Sequence, residues 1–259
     1  MQGCAVSEPE VYHALLLLMF GLAGVVFAVL GLVSAPYGRH TRGGWGPQMP
    51  ERWGWVLMES PAALVFAWVF FSGPRAADVV VLVMLGLWQL HYLHRAFVYP
   101  WLVRSRPGQR IPVVIVLMAV IFNVLNAYLN ARWLTALGPA YGLGWLLSFR
   151  FLYGLMVFGT GLVINRWADL RLRALRKPGQ GGYAIPRGGL YDEISCPNYL
   201  GELVQWVGWA ILTWSPAGLA FATFTAANLI PRAVSHHRWY QRTFPDYPRR
   251  RRAIIPYLL

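Results

Sequence analysis

The chain has 259 residues, of which 57% are hydrophobic and 13% are charged, with a formal net charge of +13. Soluble domains carry about a quarter charged residues, so this composition excludes an ordinary soluble enzyme and is typical of an integral membrane protein. A membrane-spanning helix needs about 20 mainly apolar residues. Seven segments meet or approach that requirement: 11–33, 55–71, 79–97, 111–130, 143–165, 200–214 and 217–229. They predict an all-α, polytopic membrane protein with seven transmembrane helices.

The first and the last two predicted spans have features of their own. The first is too long for the apolar part of a signal peptide, and no basic segment precedes it. The sixth and seventh are short and are separated by Ser-Pro-Ala-Gly at 215–218. This spacing predicts a tight helical hairpin.

Positive charge is concentrated on alternate loops, as expected when cytoplasmic loops are enriched in Lys and Arg. The first, third and fifth loops and the C-terminal tail hold 19 of the 23 Lys and Arg residues. The opposite side holds only Arg75 and Arg132. This asymmetry predicts an N-terminus outside and a C-terminus in the cytoplasm, with a basic face that attracts anionic lipid.

The cysteines and paired histidines give little sign of a structural or metal centre. Cys4 and Cys196 fall on opposite predicted sides of the membrane, so no disulfide is expected between them. His91 and His94 share one helix face, and polar packing at a membrane boundary is the favoured explanation. A haem or metal pair is the alternative, although no carboxylate cluster accompanies the two imidazoles. We expect no metal ion.

Several polar residues lie within apolar spans, where such groups usually face a cavity because burial in hydrocarbon is costly. Glu59 lies in the middle of the second span, and Tyr92 lies near the end of the third. Asn123, Asn126 and Asn130 form one polar stripe along the fourth helix. Hydrogen bonding between helices is the alternative explanation, and it is least satisfactory for the Glu59 carboxyl.

A second set of polar groups falls at or just below the predicted cytoplasmic boundary. The segment 172–202 is basic and rich in glycine, so it offers cations and approachable backbone N–H groups to phosphates. It lacks the glycine signatures of soluble nucleotide-binding folds. The set comprises Asn165, Asp169, Arg176, Tyr183, Asn198, Arg232, His236 and Tyr240. A dinucleotide held here by its phosphates would point inward, toward an apolar substrate near Glu59 and Tyr92.

Motifs along most of the chain resemble those of the steroid 5α-reductases. The N-terminal matches are PYGRH at 36–40, ESP from Glu59 and HYLHRAFVYP at 91–100. The most specific matches are LRKPGQGGYAIPRGGL at 175–190 and NYLGE at 198–202, and HHRWY with FPDYPRRRRAIIPYLL completes the set. Similar C-terminal segments occur in other sterol, enoyl-CoA and polyprenol reductases and in isoprenylcysteine methyltransferases. The motifs around Glu59 and Tyr92 favour the steroid 5α-reductases.

The resemblance implies one integral-membrane domain over 1–259, with substrate-side helices in 1–110 and NADPH-binding helices and loops in 111–259. It implies that NADPH delivers hydride to the β-carbon of a 3-oxo-Δ4-steroid and reduces the C4–C5 double bond. Tyr92 and Glu59 would be the catalytic residues that polarise the 3-keto oxygen, because a carboxyl in apolar surroundings favours the neutral form that donates a hydrogen bond. The cofactor contacts of the family carry over to Arg106, Asn165, Asp169, Arg176, Tyr183, Asn198, Arg232, His236 and Tyr240.

Two positions depart from the family pattern. Met58 stands where a glutamine often precedes the carboxyl, so one amide that could orient a steroid is lost. Ala184 stands where a basic residue often follows Tyr183, so one phosphate contact is lost. Arginine outnumbers lysine 22 to 1, which favours a GC-rich, bacterial source. The expected location is a bacterial inner membrane, or the endoplasmic reticulum membrane for a eukaryotic protein.

Three other functions stay open on the sequence alone. The chain is compatible with a reductase of another lipid enone or sterol double bond, or with a non-catalytic lipid-binding or scaffold protein. It is also compatible with a membrane methyltransferase, although S-adenosylmethionine has no phosphates and leaves the arginines around Arg176 unexplained. The expected partners are a steroid-like lipid and membrane lipids. We expect a monomer and no nucleic-acid partner.

Overall fold

A computed structural model describes residues 7–102, 108–175 and 183–259. These residues form an almost entirely helical protein, which confirms the predicted fold class. Seven long helices and one short helix follow in chain order: α1 (Glu8–Leu32), α2 (Glu51–Phe71), α3 (Val79–Leu93), α4 (Tyr99–Leu102), α5 (Val113–Arg132), α6 (Phe149–Ala174), α7 (Pro197–Thr213) and α8 (Pro216–Thr243). A π-helical turn, His94–Val98, joins α3 to α4 without interrupting the helix axis.

The described residues also form one small, two-stranded β-sheet. The strands β1 (Gln48–Pro50) and β2 (Arg110–Pro112) form an antiparallel ribbon in which Met49 faces Ile111. Each strand has only three residues and ends in a proline, so no alternating pattern was available to predict it. The ribbon connects the first loop to the third loop next to the N-terminus of α2.

Four helical segments are long and apolar enough to cross a membrane: Glu8–Leu32, Glu51–Phe71, Val79–Leu102 and Val113–Leu137. The described parts of α6, α7 and α8 do not meet that measure. α7 has 17 residues, and the last turns of α6 and α8 carry arginines. The chain is therefore a polytopic membrane protein, and the count of seven spans and its orientation stay predictions.

Two predicted boundaries were wrong. Leu143–Leu147 is a separate 3₁₀ segment rather than the start of the fifth span. α6 begins after Ser148, whose hydroxyl accepts a hydrogen bond from the Phe151 N–H at 3.2 Å and caps the helix. The last helix extends from Pro216 to Thr243, well beyond the predicted end at 229. The predicted hairpin before it is confirmed, because Ser215 caps α8 by accepting from the Gly218 N–H at 2.9 Å.

Glycines allow α6 and α7 to pack backbone against backbone. A Cβ atom at Gly161 would lie 2.2 Å from the Gln205 nitrogen, and one at Gly208 would lie 2.2 Å from the Phe158 nitrogen. Only glycine fits such a contact, which is the usual basis of close helix pairs in membranes. This packing brings the polar ends of the two helices together at Asn165.

An aromatic core lies between α2, α3, α7 and α8. Trp88 is fully buried, stacks on Phe66 at 4.4 Å and donates its indole N–H to the Ala62 carbonyl at 2.7 Å. Trp206 packs on Phe221 at 4.4 Å between ring centroids. These rings form a rigid surface against which Tyr92 packs.

Candidate active site

A cavity of about 240 Å³ lies between α2, α3, α5, α7 and α8. Its walls include Glu59 and Tyr92, together with Asn198 and Arg232 from the predicted cofactor set. The fold therefore brings both predicted catalytic residues into one cavity with two predicted cofactor-binding residues. Aromatic and aliphatic walls from α5 and α8 complete it, so it has a charged side and an apolar side.

Glu59 is held by an unusual helical turn. Pro61 has no N–H for the carbonyl four residues before it, and the Ser60 hydroxyl hydrogen-bonds that carbonyl at 3.4 Å. Asn123 on α5 donates to the Met58 carbonyl at 2.6 Å and fixes the same turn from the opposite helix. The carboxyl is thus positioned by backbone contacts on both sides.

Arg95 is the charged partner of that carboxyl. Its Nε lies 3.4 Å from Glu59 Oε1, and its NH1 lies 3.7 Å from Asp169 Oδ2. The guanidinium also packs over the rings of Trp55 and Tyr99, at 4.9 and 4.6 Å. Arg95 lies within the predicted span 79–97 but is not among the site residues predicted from the sequence. The signal that identified Glu59, a charge inside an apolar span, applies equally to Arg95.

Tyr92 is 4% exposed and is clamped between aromatic rings. It stacks on Trp206 at 5.5 Å and contacts Trp88 at 4.9 Å between centroids. Its hydroxyl faces the cavity and lies beside the amide of Asn126 on α5. The ring has little freedom to turn, so the hydroxyl presents a fixed direction to a ligand.

Asn165 and Asp169 meet α7 at the end of the glycine-packed pair. Asn165 donates to the Asn198 carbonyl at 2.9 Å, and Asn198 donates to Asp169 Oδ1 at 3.4 Å. The buried Asp169 Oδ2 accepts no hydrogen bond from any residue the structure describes. An acceptor left in this state fits a ligand that brings its own N–H or O–H donors.

Arg232 and His236 lie one turn apart on α8 and share a partner. Arg232 donates to the Tyr199 hydroxyl at 3.3 Å, and His236 Nε2 lies 3.1 Å from the same oxygen. His236 Nδ1 lies 3.0 Å from Nε2 of His40 in the first loop. Burial, followed by the positive charge of Arg39, lowers the pKa of His40. His40 is therefore neutral at pH 7, which permits a ring-to-ring hydrogen bond.

Tyr183 and Tyr240 belong to an aromatic cluster around Arg39. The guanidinium lies 5.3 Å from the Tyr183 ring, 4.9 Å from the Trp239 ring and 4.6 Å from the Tyr240 ring. Its buried NH1 group has no hydrogen-bond partner in the described part of the chain. A phosphate oxygen is the kind of acceptor that would satisfy it. Arg39 was part of a quoted motif but was not predicted as a site residue.

The remaining predicted residues either lie outside the described ranges or do not form a metal site there. Arg106 and Arg176 lie outside the described residues, as does Cys4. His91 and His94 diverge: His91 lies 3.0 Å from the Gln205 amide, and His94 contacts Arg166. No group of three His, Cys, Asp or Glu side chains in the described ranges is arranged to hold a metal ion. Cys196 is buried, and this burial raises the pKa of its thiol to about 12.

The donors and acceptors just described fit a phosphate-bearing dinucleotide. Arg39 and Asp169 leave one buried donor and one buried acceptor unused. Arg232 and Asn198 carry further polar groups on the cavity wall. The same cavity has apolar walls from α5 and α8, which suit a ligand that is mostly apolar.

Known proteins are similar to this chain over nearly its whole length. A family model for 3-oxo-5-alpha-steroid 4-dehydrogenase matches residues 109–259. The chain is 41% identical over 255 residues to steroid 5-alpha-reductase DET2 of Gossypium hirsutum, covering 97% of this chain and 99% of that protein. It is 42% identical over 252 residues to steroid 5-alpha-reductase DET2 of Arabidopsis thaliana, covering 95% of each.

A mammalian relative is similar over the same length. Human 3-oxo-5-alpha-steroid 4-dehydrogenase 1 is 38% identical over 255 residues, covering 98% of this chain and 97% of that protein. The similarity therefore includes the helices that carry Glu59 and Tyr92 as well as the C-terminal half. The chain belongs to the steroid 5-alpha-reductase, or 3-oxo-5-alpha-steroid 4-dehydrogenase, family of membrane oxidoreductases.

Proposed function

We propose that this enzyme uses NADPH to reduce the C4–C5 double bond of a 3-oxo-Δ4-steroid. The observation that carries the proposal is the cavity in which Glu59 and Tyr92 face Asn198 and Arg232. Donors suited to a ketone beside groups suited to a dinucleotide support this reaction. The names of the relatives support the same reaction.

The cofactor would be held at the basic end of the cavity. Arg39 and Arg232 are half-buried cations with aromatic neighbours and would bind phosphate oxygens. Asp169 and Asn198 would accept and donate hydrogen bonds at the reactive end. We extend the proposal to Asn165, Tyr183, His236 and Tyr240, and to Arg106 and Arg176 outside the described residues. NADPH supplies the hydride when bound.

Tyr92 and Glu59 would act on the steroid ketone. As hydride adds to C5, the C4–C5 π electrons move toward C3 and negative charge collects on the 3-keto oxygen. The Tyr92 hydroxyl and a protonated Glu59 carboxyl would donate to that oxygen as the charge develops. Protonation at C4 by a solvent-derived proton then restores the ketone, so one hydride and one proton are added.

Arg95 would affect both the protonation and the orientation of the Glu59 carboxyl. One guanidinium faces the carboxyls of both Glu59 and Asp169, and Glu202 lines the same cavity. Two carboxyls beside one cation cannot both ionise cheaply in a buried site, so Glu59 and Asp169 tend to share a proton. A proton resting on Glu59 makes it a donor, and Arg95 keeps the carboxyl oriented.

Membrane placement belongs to the same proposal. The 19:2 distribution of basic loop residues supports an outside N-terminus and a cytoplasmic C-terminus, so NADPH would enter from the cytoplasm. We propose one domain, with the substrate handled mainly by 1–110 and the cofactor by 111–259, acting as a monomer. The plant and mammalian relatives do not support a bacterial source, which stays a prediction.

Turnover by purified protein tests the proposal. Detergent-solubilised enzyme is given NADPH with testosterone or progesterone, and the products are compared with 5α and 5β standards by mass-coupled chromatography. We expect a 5α product that appears with equimolar loss of NADPH. Reduction of a different lipid enone, with both steroids untouched, would overturn the substrate assignment. Methyl transfer from S-adenosylmethionine, or NADPH binding without turnover of any enone, would overturn the reaction.

A further inference from the structure

Three buried side chains, Trp209, Asn130 and Asn126, form a hydrogen-bonded chain whose last member lies beside Tyr92. The Trp209 indole N–H donates to Asn130 Oδ1 at 2.9 Å. Asn130 Nδ2 donates to Asn126 Oδ1 at 2.9 Å and also contacts the Asn126 carbonyl at 3.0 Å. All three side chains are at most 2% exposed. The chain runs from α7 to the polar stripe of α5 and then toward the cavity.

The chemistry of the first donor fixes the direction of the whole chain. An indole N–H can only donate, so the Asn130 amide must present its oxygen to Trp209. Its nitrogen must then point at Asn126, which receives it through Oδ1. The Asn126 Nδ2 group is left as the free end. Rotating either amide by 180° would bring two donors or two acceptors together, so the orientation is set by Trp209.

The free end is an unpaired donor in a fully buried place. Asn126 is 0% exposed, and its Nδ2 makes no hydrogen bond of normal geometry with any residue in the described ranges. The Asn126 side chain lies beside the Tyr92 hydroxyl. A buried donor without a partner is costly, so this position needs an acceptor, and the tyrosine oxygen is the acceptor beside it.

We propose that Asn126 is a positioning residue whose Nδ2 donates to the Tyr92 hydroxyl oxygen and directs the Tyr92 proton at the substrate carbonyl. A tyrosine hydroxyl has one proton and can also accept. An acceptor at position 126 would take that proton away from the ketone. A donor leaves the proton free and helps the oxygen carry charge while it donates. The inference rests on the proposed role of Tyr92 in ketone reduction.

Removing the donor should slow turnover without weakening NADPH binding. Asn126→Leu keeps similar volume and removes the N–H, and we expect kcat to fall by about tenfold, the range of one buried hydrogen bond. Asn126→Asp should fall further, because a carboxylate can only accept and would compete for the Tyr92 proton. Trp209→Phe keeps a ring but frees the Asn130 amide to turn, so it should cause a smaller loss.

A double-mutant cycle separates positioning from packing. If Asn126 acts through the hydroxyl, Asn126→Leu has no further effect on kcat in a Tyr92→Phe background. Thr135→Val, which removes another buried polar group just beyond α5, should leave turnover near wild type. Unfolding temperatures in detergent show whether each variant is folded, and Trp209→Phe keeps the test valid should Asn126→Leu not fold.

The results of these measurements support or contradict the proposed role of Asn126. Loss in Asn126→Leu that vanishes in the Tyr92→Phe background supports the inference. Losses that multiply in the double variant, or an Asn126→Asp enzyme as fast as wild type, would overturn it while leaving the proposed function intact. Absence of enone reduction by wild-type protein that binds NADPH would overturn both.

Discussion

Arg95 Nε lies 3.4 Å from Glu59 Oε1, so the predicted catalytic carboxyl has a cationic partner inside the helix bundle. The same guanidinium lies 3.7 Å from Asp169, on the cofactor side. One cation therefore links an acid proposed to contact the steroid to an acid proposed to contact NADPH. Any ligand that engages Asp169 changes the second partner of Arg95, and with it the surroundings of Glu59.

The first prediction concerns the stability of this link. Arg95→Met removes the charge and keeps part of the volume, which leaves Glu59 and Asp169 facing each other's field. Because Glu59 and Asp169 share a proton in our proposal, one of the two carboxyls stays ionised beside Arg95. Breaking a buried ion pair from one side costs about 3–5 kcal/mol, and we expect a loss of that order in the free energy of unfolding. Adding Glu59→Gln should recover part of it, because a neutral amide needs no counter-charge. Denaturant unfolding in detergent measures both changes.

The matched control for that variant is an exposed ion pair. Arg187 lies 3.6 Å from Asp246, and the two side chains are 62% and 70% exposed. Such pairs contribute little because water and salt screen them, so Arg187→Met should unfold like wild type. Equal stability of the Arg95→Met protein would show that Arg95 forms no ion pair with either Glu59 or Asp169 in the folded protein.

The second prediction concerns NADPH affinity. Arg39 has a buried NH1 without a partner among the described residues, surrounded by three aromatic rings. A charge-assisted hydrogen bond to a phosphate contributes about 1.5–3 kcal/mol, so Arg39→Met should raise the Kd for NADPH by about 10- to 100-fold. Arg250→Met, whose side chain is 73% exposed, is the control. Titration of tryptophan quenching by NADPH gives both constants, and equal affinity of the two variants would remove Arg39 from the site.

How far the sequence determines the site depends on whether a partner lies nearby in the chain. The apolar segments predicted the long helices, because length and hydropathy are local properties. A costly carboxyl in a span predicted that Glu59 faces a cavity. The same signal applies to Arg95, but its pairing with Glu59 could not be predicted, because Arg95 lies on another helix in a π-helical turn that no periodicity indicates.

The same distinction explains the polar stripe on α5. Its spacing predicted that Asn123, Asn126 and Asn130 share a face. Which amide donates and which accepts depends on Trp209, 79 residues away from Asn130 along the chain. Likewise the wrong start of the fifth span arose from one local signal, Ser148, whose capping hydroxyl outweighed the apolar residues before it.

The third prediction concerns pH. Burial, with help from Arg39 and Arg232, lowers the pKa of His40 below its ordinary 6.5. A base with a lowered pKa in the folded state binds its proton more tightly when unfolded, so stability is full above pH 6.5 and falls as the pH drops below it. We expect the unfolding temperature to decrease between pH 7.5 and 5. His40→Gln keeps a hydrogen-bonding side chain without titrating and should flatten part of that decrease.

His13 provides the comparison for this pH experiment. It lies at the exposed start of α1, where its Nδ1 is 2.6 Å from the Pro9 carbonyl oxygen and its ring makes an edge contact with Tyr12. His13→Gln should therefore reproduce the wild-type pH dependence. Identical curves for His40→Gln and wild type would show that protonation of His40 does not contribute to the loss.

The fourth prediction concerns the chemistry of Tyr92 and Glu59. Tyr92→Phe keeps the ring that stacks on Trp206 and removes only the hydroxyl. Loss of one donor to a developing oxyanion costs about 10²–10³ in turnover, so we expect a decrease of that size in reduction of a 3-oxo-Δ4-steroid. NADPH affinity should stay within twofold of wild type, a margin about the size of a minor hydrogen bond. Steady-state kinetics and a parallel cofactor titration measure the two effects.

Glu59 is expected to respond differently to two substitutions. Glu59→Gln keeps the shape and a donor, so it should retain more turnover than Glu59→Ala, which keeps neither and also leaves Arg95 without its 3.4 Å partner. The pH dependence of kcat then distinguishes an ionised Glu59 carboxylate from a neutral Glu59 that donates a hydrogen bond. If Glu59 donates as a neutral acid, wild-type kcat falls as the pH rises through its ionisation, whereas kcat of Glu59→Gln stays flat over the same range, because an amide does not titrate. A Gln variant as inactive as the Ala variant, or a wild-type profile that the Gln variant reproduces, would take the donor role away from Glu59 and leave Tyr92 as the sole polarising group.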